Sequence, residues 1–191
     1  INGILSEANI TGYYYKPRID VDLLMSLTPE NVVITTACVA FWHYEPEYTD
    51  DLVKKLHDHF GDSLFLEVQY NDTDKQKKLN THIVELSEEL GIKLIVGLDS
   101  HYIYPEQAQD RQYVLDAKDT HYPEEEGWYM DYPDDETVVA RFKEQGILSD
   151  EQIKSAMDNT DIALTFDDIE FDDTPKLPVP PKYKDKTKDE R

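Results

Sequence analysis

The residues of this chain best suited to chemistry are Asp99, His101 and Cys38. In Asp99-Ser100-His101 a carboxylate and an imidazole stand two residues apart, and on an extended backbone that spacing puts both on one side. Such a pair can share a proton or ligate a cation. The same three residues can equally form only a turn, with Asp99 capping the helix that Pro105 opens and His101 hydrogen-bonded in the loop. Two ligands alone make no metal site. Cys38, the single cysteine, rules out a disulfide within the chain and fits a reducing compartment. By residue type it is either a small buried hydrophobe or a ligand.

The elements that must position these groups are legible in the apolar pattern. Ile92 to Leu98 is a short apolar run bounded by Gly91, which reads as a strand buried on both faces and ending at Asp99. Asn31 to Thr36 reads as another strand, delivering Cys38 at its carboxyl end, and Ser63 to Gln69 as a third, with Glu67 and Gln69 on one face. Carboxyl ends of strands are where α/β folds keep their chemistry. Between these runs lie helices. Thr49 is expected to cap one that runs to Phe60 and stops at Gly61, and another spans Asp74 to Leu90 with its stripe on Leu79, Ile83, Leu86 and Leu90. Strand, helix and strand in series imply right-handed βαβ units and a parallel sheet or barrel.

Elsewhere the patterns are weaker. The first ten residues carry no complete motif, which suggests a piece of something longer. Asp20 can cap a short helix through Leu27. After Pro105 a helix runs to about Asp119, Pro123 to Gly127 is a turn, and Trp128 to Met130 is extended. A helix carrying Val138, Val139 and Phe142 ends at Gly146, and Ser149 with Gln152 forms a capping box for a helix to about Ala163. Pro175 to Arg191, rich in proline and alternating Lys and Asp, reads as a linker or tail. His43 alone among the other histidines has a route to Cys38; His57, His59, His82 and His121 have surface or packing roles.

Charge excludes some functions. The formal net charge of -22 over 191 residues repels phosphate backbones, so the chain is a poor candidate for gripping nucleic acid unaided, and no nucleic-acid-binding residue can be named. No window approaches a membrane span and no basic-then-apolar leader opens the chain, so a soluble cytoplasmic protein is expected.

Four stretches in order carry a resemblance: Gly12 to Asp20 (Gly-Tyr-Tyr-Tyr-Lys-Pro-Arg-Ile-Asp), Ile34 to Ala40 (Ile-Thr-Thr-Ala-Cys-Val-Ala), Leu64 to Gln69 (Leu-Phe-Leu-Glu-Val-Gln) and Glu89 to Tyr102, with Met157 to Ala163 and Lys176 to Pro180 continuing it. The set resembles the amino-terminal PHP (polymerase and histidinol phosphatase) domain of bacterial DNA polymerase III alpha subunits. That resemblance implies an α/β fold, part of an irregular (βα)7-type PHP barrel lacking its opening strands, followed by C-terminal helices and an extended tail. The domain would occupy residues 1–174, its C-terminal two thirds, and the linker residues 175–191. Family members that keep every ligand hold divalent metal ions (Zn, Mn or Mg) that activate water in 3′–5′ exonuclease chemistry. Asp99 and His101 match the last ligand motif, and Cys38 the cysteine of a Gly-Cys-Leu-Ala-Gly stretch that here reads Ala-Cys-Val-Ala-Phe. The family's His-x-His motif has no counterpart, and Tyr70-Asn71 stands where metal-binding members often place a histidine. The function implied is that of a segment of a replicative polymerase, with a structural role and a vestigial exonuclease role left open. Its partners would be the remainder of the polymerase chain, DNA through that parent and other replisome subunits, with no membrane. The alternatives are a non-catalytic interaction module and a truncated free-standing PHP phosphoesterase. A barrel without its opening strands would expose an edge and tend to associate.

Overall fold

Three short parallel strands carry the rest of the chain: β1 (Ile34–Thr35), β2 (Leu64–Val68) and β3 (Leu94–Val96), in the spatial order β1-β2-β3. The computed structural model describes residues 1–43 and 46–167. Ile34 is in register with Leu64, and Leu66 with Leu94. Helix α1 (Asn2–Ile10) and the short α2 (Val21–Met25) precede the sheet, and α3 (Pro46–Phe60) and α4 (Asp74–Leu90) connect its strands. After β3 come α5 (Ala108–Ala117), α6 (Asp135–Gln145) and α7 (Asp150–Asp158). The architecture is α/β with parallel strands, as the alternating pattern implies. Three strands do not by themselves close a barrel. No described helix is long and apolar enough to cross a membrane.

One sheet face makes the core. Leu64, Leu66, Val68 and Leu94 pack with Val53, Leu56 and Phe60 of α3, Ile83 and Leu86 of α4, and Phe142 and Ile153 beyond them. Each such side chain, removed from water, contributes about 2 kcal/mol. Phe65 and Ile95 on the opposite face are buried too, which accounts for the unbroken apolar strand sequences. The caps follow the sequence signals: Asp20 accepts from Leu23 N, Asp134 from Thr137 N, and Ser149 with Gln152 closes a capping box. Gly91 and Gly146 end α4 and α6 at φ of 70° and 73°, a backbone that side chains disfavour.

Several boundaries differ from expectation. Helix α3 starts at Pro46, not at a Thr49 cap; Thr49 is buried inside the helix, because proline suits the first helical turn and takes that place. β1 holds two residues instead of six, since Pro29–Asn31 coils into a 3-10 turn and, among the described residues, β1 has only β2 beside it. Helix α5 stops at Ala117, where Asp119 turns to a φ of 49°. Helix α7 gives way at Asn159–Thr165 to 3-10 geometry, and the Asn159 amide donates to the Leu94 carbonyl at 2.8 Å, tying that turn to β3. Helix α1 forms without a side-chain cap and buries only Ala8, so nothing in its sequence announces it. Tyr44, Glu45 and the expected linker from Pro175 to Arg191 lie outside the described residues.

Candidate functional site

Beyond Val96, Gly97 and Leu98 carry the chain off the sheet into Asp99-Ser100-His101. His101 Nε2 lies 3.3 Å from Asp99 Oδ1, so the spacing of two does bring carboxylate and imidazole together. Both side chains are 40% exposed, and an ion pair at that exposure is worth at most about 1 kcal/mol. Asp99 does not cap the helix that Pro105 opens. That task falls to Gln107, whose Oε1 accepts from the Ile103 and Tyr104 amides at 3.0 and 2.9 Å.

The turn is fixed from beneath. The His101 amide donates to the Met130 carbonyl and the Ser100 hydroxyl to the Asp131 carbonyl, both at 2.8 Å. Asp131 is in turn gripped by Arg141 of α6 through two parallel bonds of 2.8 and 2.7 Å, with the two side chains only 8% and 13% exposed. The guanidinium also sits 4.2 Å from the centre of the Tyr129 ring and 5.2 Å from that of Tyr70. Hydrogen bonding to Arg141 holds the Asp131 carboxyl below its ordinary pKa, while burial pushes the Tyr70 phenol up.

A buried amide network completes the support. Asn80 donates to the Gln69 carbonyl and to Gln145 Oε1, Gln145 donates to the carbonyls of Gln69 and Asn71, and Gln76 donates to Asn80. Asn71 Oδ1 accepts from the Tyr129 amide at 2.9 Å. Together these side chains satisfy the loop after β2, where no ladder partner is available, and dock the Tyr129–Asp131 segment on it.

Glu67 forms a second polar cluster on the sheet. It accepts from the Thr35 hydroxyl at 2.8 Å through Oε2 and from Gln69 Nε2 at 3.0 Å through Oε1. Its carboxylate crosses over Gly97, where an added Cβ would lie 1.9 Å from Glu67 Oε1. A side chain at 97 would therefore have to push the Glu67 carboxylate aside. Sequence reasoning put Glu67 and Gln69 on one face, which the bond confirms, but did not count Glu67 among the site residues. A polar residue inside an apolar strand was the available signal.

Cys38 sits half-buried with a free thiol in the turn after β1. The turn is strained: Ala37 holds a φ of 51°. Among the described residues no three His, Cys, Asp or Glu side chains are grouped to hold a metal ion, so Cys38 does not join Asp99 and His101 in such a set. Asp99 and His101 supply two donors, and both oxygens of Glu67 are engaged by Thr35 and Gln69. These residues alone do not fit a divalent-ion shell. His82 pairs with Asp50 at 2.8 Å, His59 bonds the Leu27 carbonyl at 3.1 Å and His121 stands in the open, so these three take the packing or surface roles expected of them.

This is an α/β segment with parallel strands and a carboxylate–imidazole pair at a strand end. It is similar in sequence to DNA polymerase III alpha subunits. The chain is 39% identical over 101 residues to the DNA polymerase III subunit alpha of Aquifex aeolicus, a match covering 50% of this chain and 9% of that protein. With the same subunit of Deinococcus radiodurans it shares 27% identity over 190 residues, 92% of this chain and 14% of the relative. With that of Thermus aquaticus it shares 26% over 193 residues, 93% of this chain and 16% of the relative. The chain thus spans 9–16% of the length of these relatives and is related to a segment of DNA polymerase III alpha subunits. No protein-family profile matches it.

Proposed function

We propose that the chain is the PHP-like part of a DNA polymerase III alpha-type replicase and acts there as a scaffold. The observation that carries this is the contrast within the site. Its polar investment goes into holding backbone, through Arg141–Asp131 and the Asn80–Gln145 network, while among the described residues Asp99 and His101 come together as a pair and no third ligand-type side chain joins them. Likeness to polymerase alpha subunits across more than nine tenths of the chain supports the parent assignment. Polymerisation, DNA binding and contacts with other replisome subunits belong on this reading to the rest of the parent chain. The acidity of this segment accords with that division, because it repels a phosphate backbone.

The test is the protein encoded by the complete reading frame, purified and assayed for bound metal, primer extension and 3′–5′ exonuclease activity, with Asp99→Ala and His101→Ala variants alongside. Primer extension with any nuclease activity indifferent to both substitutions is the expected result. Stoichiometric metal lost together with nuclease activity in the variants would make the pair part of a working exonuclease. A frame without polymerase sequence would point to a free-standing phosphoesterase instead.

A further inference from the structure

Helix α3 shows two stripes. Thr49, Val53, Leu56 and Phe60, spaced by four, three and four residues, face the core and are almost fully buried. Beside them Tyr48, Asp51, Leu52, Lys55 and Asp58 form a second stripe that faces α2 across an open groove of about 640 Å³. Met25 and Leu52 form its floor and continue into the hydrophobic core. Tyr48, an exposed ring, flanks it.

The rim is predominantly acidic. Asp22, Asp51 and Asp58 stand against the single ammonium of Lys55, and none of the three carboxylates forms an ion pair among the described residues. An apolar floor between two helices, with carboxylates along its edge, complements an amphipathic helix that presents an apolar stripe flanked by Lys or Arg. A second copy of this chain, at a net charge of -22, is repelled, as are nucleic acid and an anionic bilayer.

We infer that the α2–α3 groove docks a basic amphipathic helix from the polymerase portion of the same chain. The choice of source rests on the replicase reading above. The relatives are many times longer than this segment, and the part of such a protein that holds DNA must carry the positive charge this segment lacks.

Three methionines serve as reporters, because Met25 lies in the groove while Met130 and Met157 line other parts of the surface or core. With methyl-labelled methionine in the 191-residue chain, a synthetic helical peptide bearing a leucine stripe flanked by lysines is titrated at low salt. The expected result is a saturable shift of the Met25 methyl alone, with affinity reduced about fivefold in a D51N/D58N variant whose melting is unchanged. A peptide with glutamate in place of lysine should leave Met25 unmoved. An unmoved Met25 with the lysine peptide, or equal shifts with both peptides, overturns the groove. Overlapping peptides from the polymerase portion of the parent then identify the source. At least one should reproduce the shift; if the designed peptide binds and none of these does, the assigned occupant is wrong. A parent frame without polymerase sequence would defeat the replicase reading while leaving the groove measurement standing.

Discussion

Replacing Arg141 with methionine keeps most of the side-chain stem but removes the guanidinium from a site where it makes two short bonds to Asp131 and covers the Tyr129 ring. Breaking a buried ion pair from one side costs about 3–5 kcal/mol, chiefly because the remaining charge is left desolvated. With the two side chains 13% and 8% exposed, the loss should lie near the lower end, about 3 kcal/mol, measured as a shift in the urea midpoint at constant slope. R141M/D131N, with both charges removed, should recover at least about 1 kcal/mol of that loss, since no uncompensated carboxylate remains. A local readout should accompany the global one. The His101 amide, bonded to the Met130 carbonyl beside Asp131, should exchange faster with solvent in R141M even at urea concentrations where the core amides remain protected. A loss below about 1 kcal/mol, or a double variant no more stable than the single one, would refute the claim that this pair holds the Asp99–His101 turn.

Asp131 also sets an acid limit. Its folded pKa is depressed by hydrogen bonding to Arg141, so its contribution is complete above the unfolded value of about 3.9 and is lost as pH falls through the lower folded value; a D131N variant should lose less stability over that interval than the unsubstituted chain. Gly97→Ala should cost about 1–3 kcal/mol, as its Cβ would meet the Glu67 carboxylate, and Glu67→Ala in the same chain should relieve part of the cost; equal denaturation midpoints for G97A and its parent would contradict the contact. Ala37→Gly should stabilise by about 0.5–1 kcal/mol, because glycine takes a positive φ without the side-chain penalty, and calorimetry would show a higher melting temperature. Asn80→Ala should cost about 2 kcal/mol by leaving buried Gln145 Oε1 without its donor and the Gln76 amide nitrogen without its acceptor, while the Gln69 carbonyl keeps its bond from Gln145; chemical denaturation reads the loss.

What could be read from sequence was what depends on local pattern. Helix α4 has the expected ends because Thr73 caps it, Gly91 stops it and its stripe has helical period throughout. The Asp99–His101 encounter was legible for a similar reason, since spacing alone fixes the side of an extended backbone to which each points. The supports beneath it were not. Arg141 lies ten residues from Asp131 and seventy-one from Tyr70, and Gln145 lies sixty-five from Asn80, so no periodic signal links them. Gln76 and Asn80 on the buried side of α4 even interrupt the apolar stripe, and only the unpaired carbonyls after β2 explain why amides stand there. Strand β1 shrank for a reason equally invisible in its residues, which is that among the described residues it has one neighbour in the sheet.

The distribution of buried polarity gives the scaffold reading its physical content. Side chains meant to bind a cation must be held ready with their donor atoms free, and the cost of desolvating them is recovered only when the ion arrives. In this segment the buried carboxylate of Asp131 is neutralised permanently by Arg141, the half-buried Glu67 has both oxygens bonded, and the buried amides of Asn80 and Gln145 are spent on main-chain carbonyls. Asp99 and His101 stay open to solvent and are paired with each other. Interactions of that kind rigidify a surface without needing a ligand. A rigid acidic surface with an unpaired carboxylate rim on the α2–α3 side is suited to holding a basic neighbour in place.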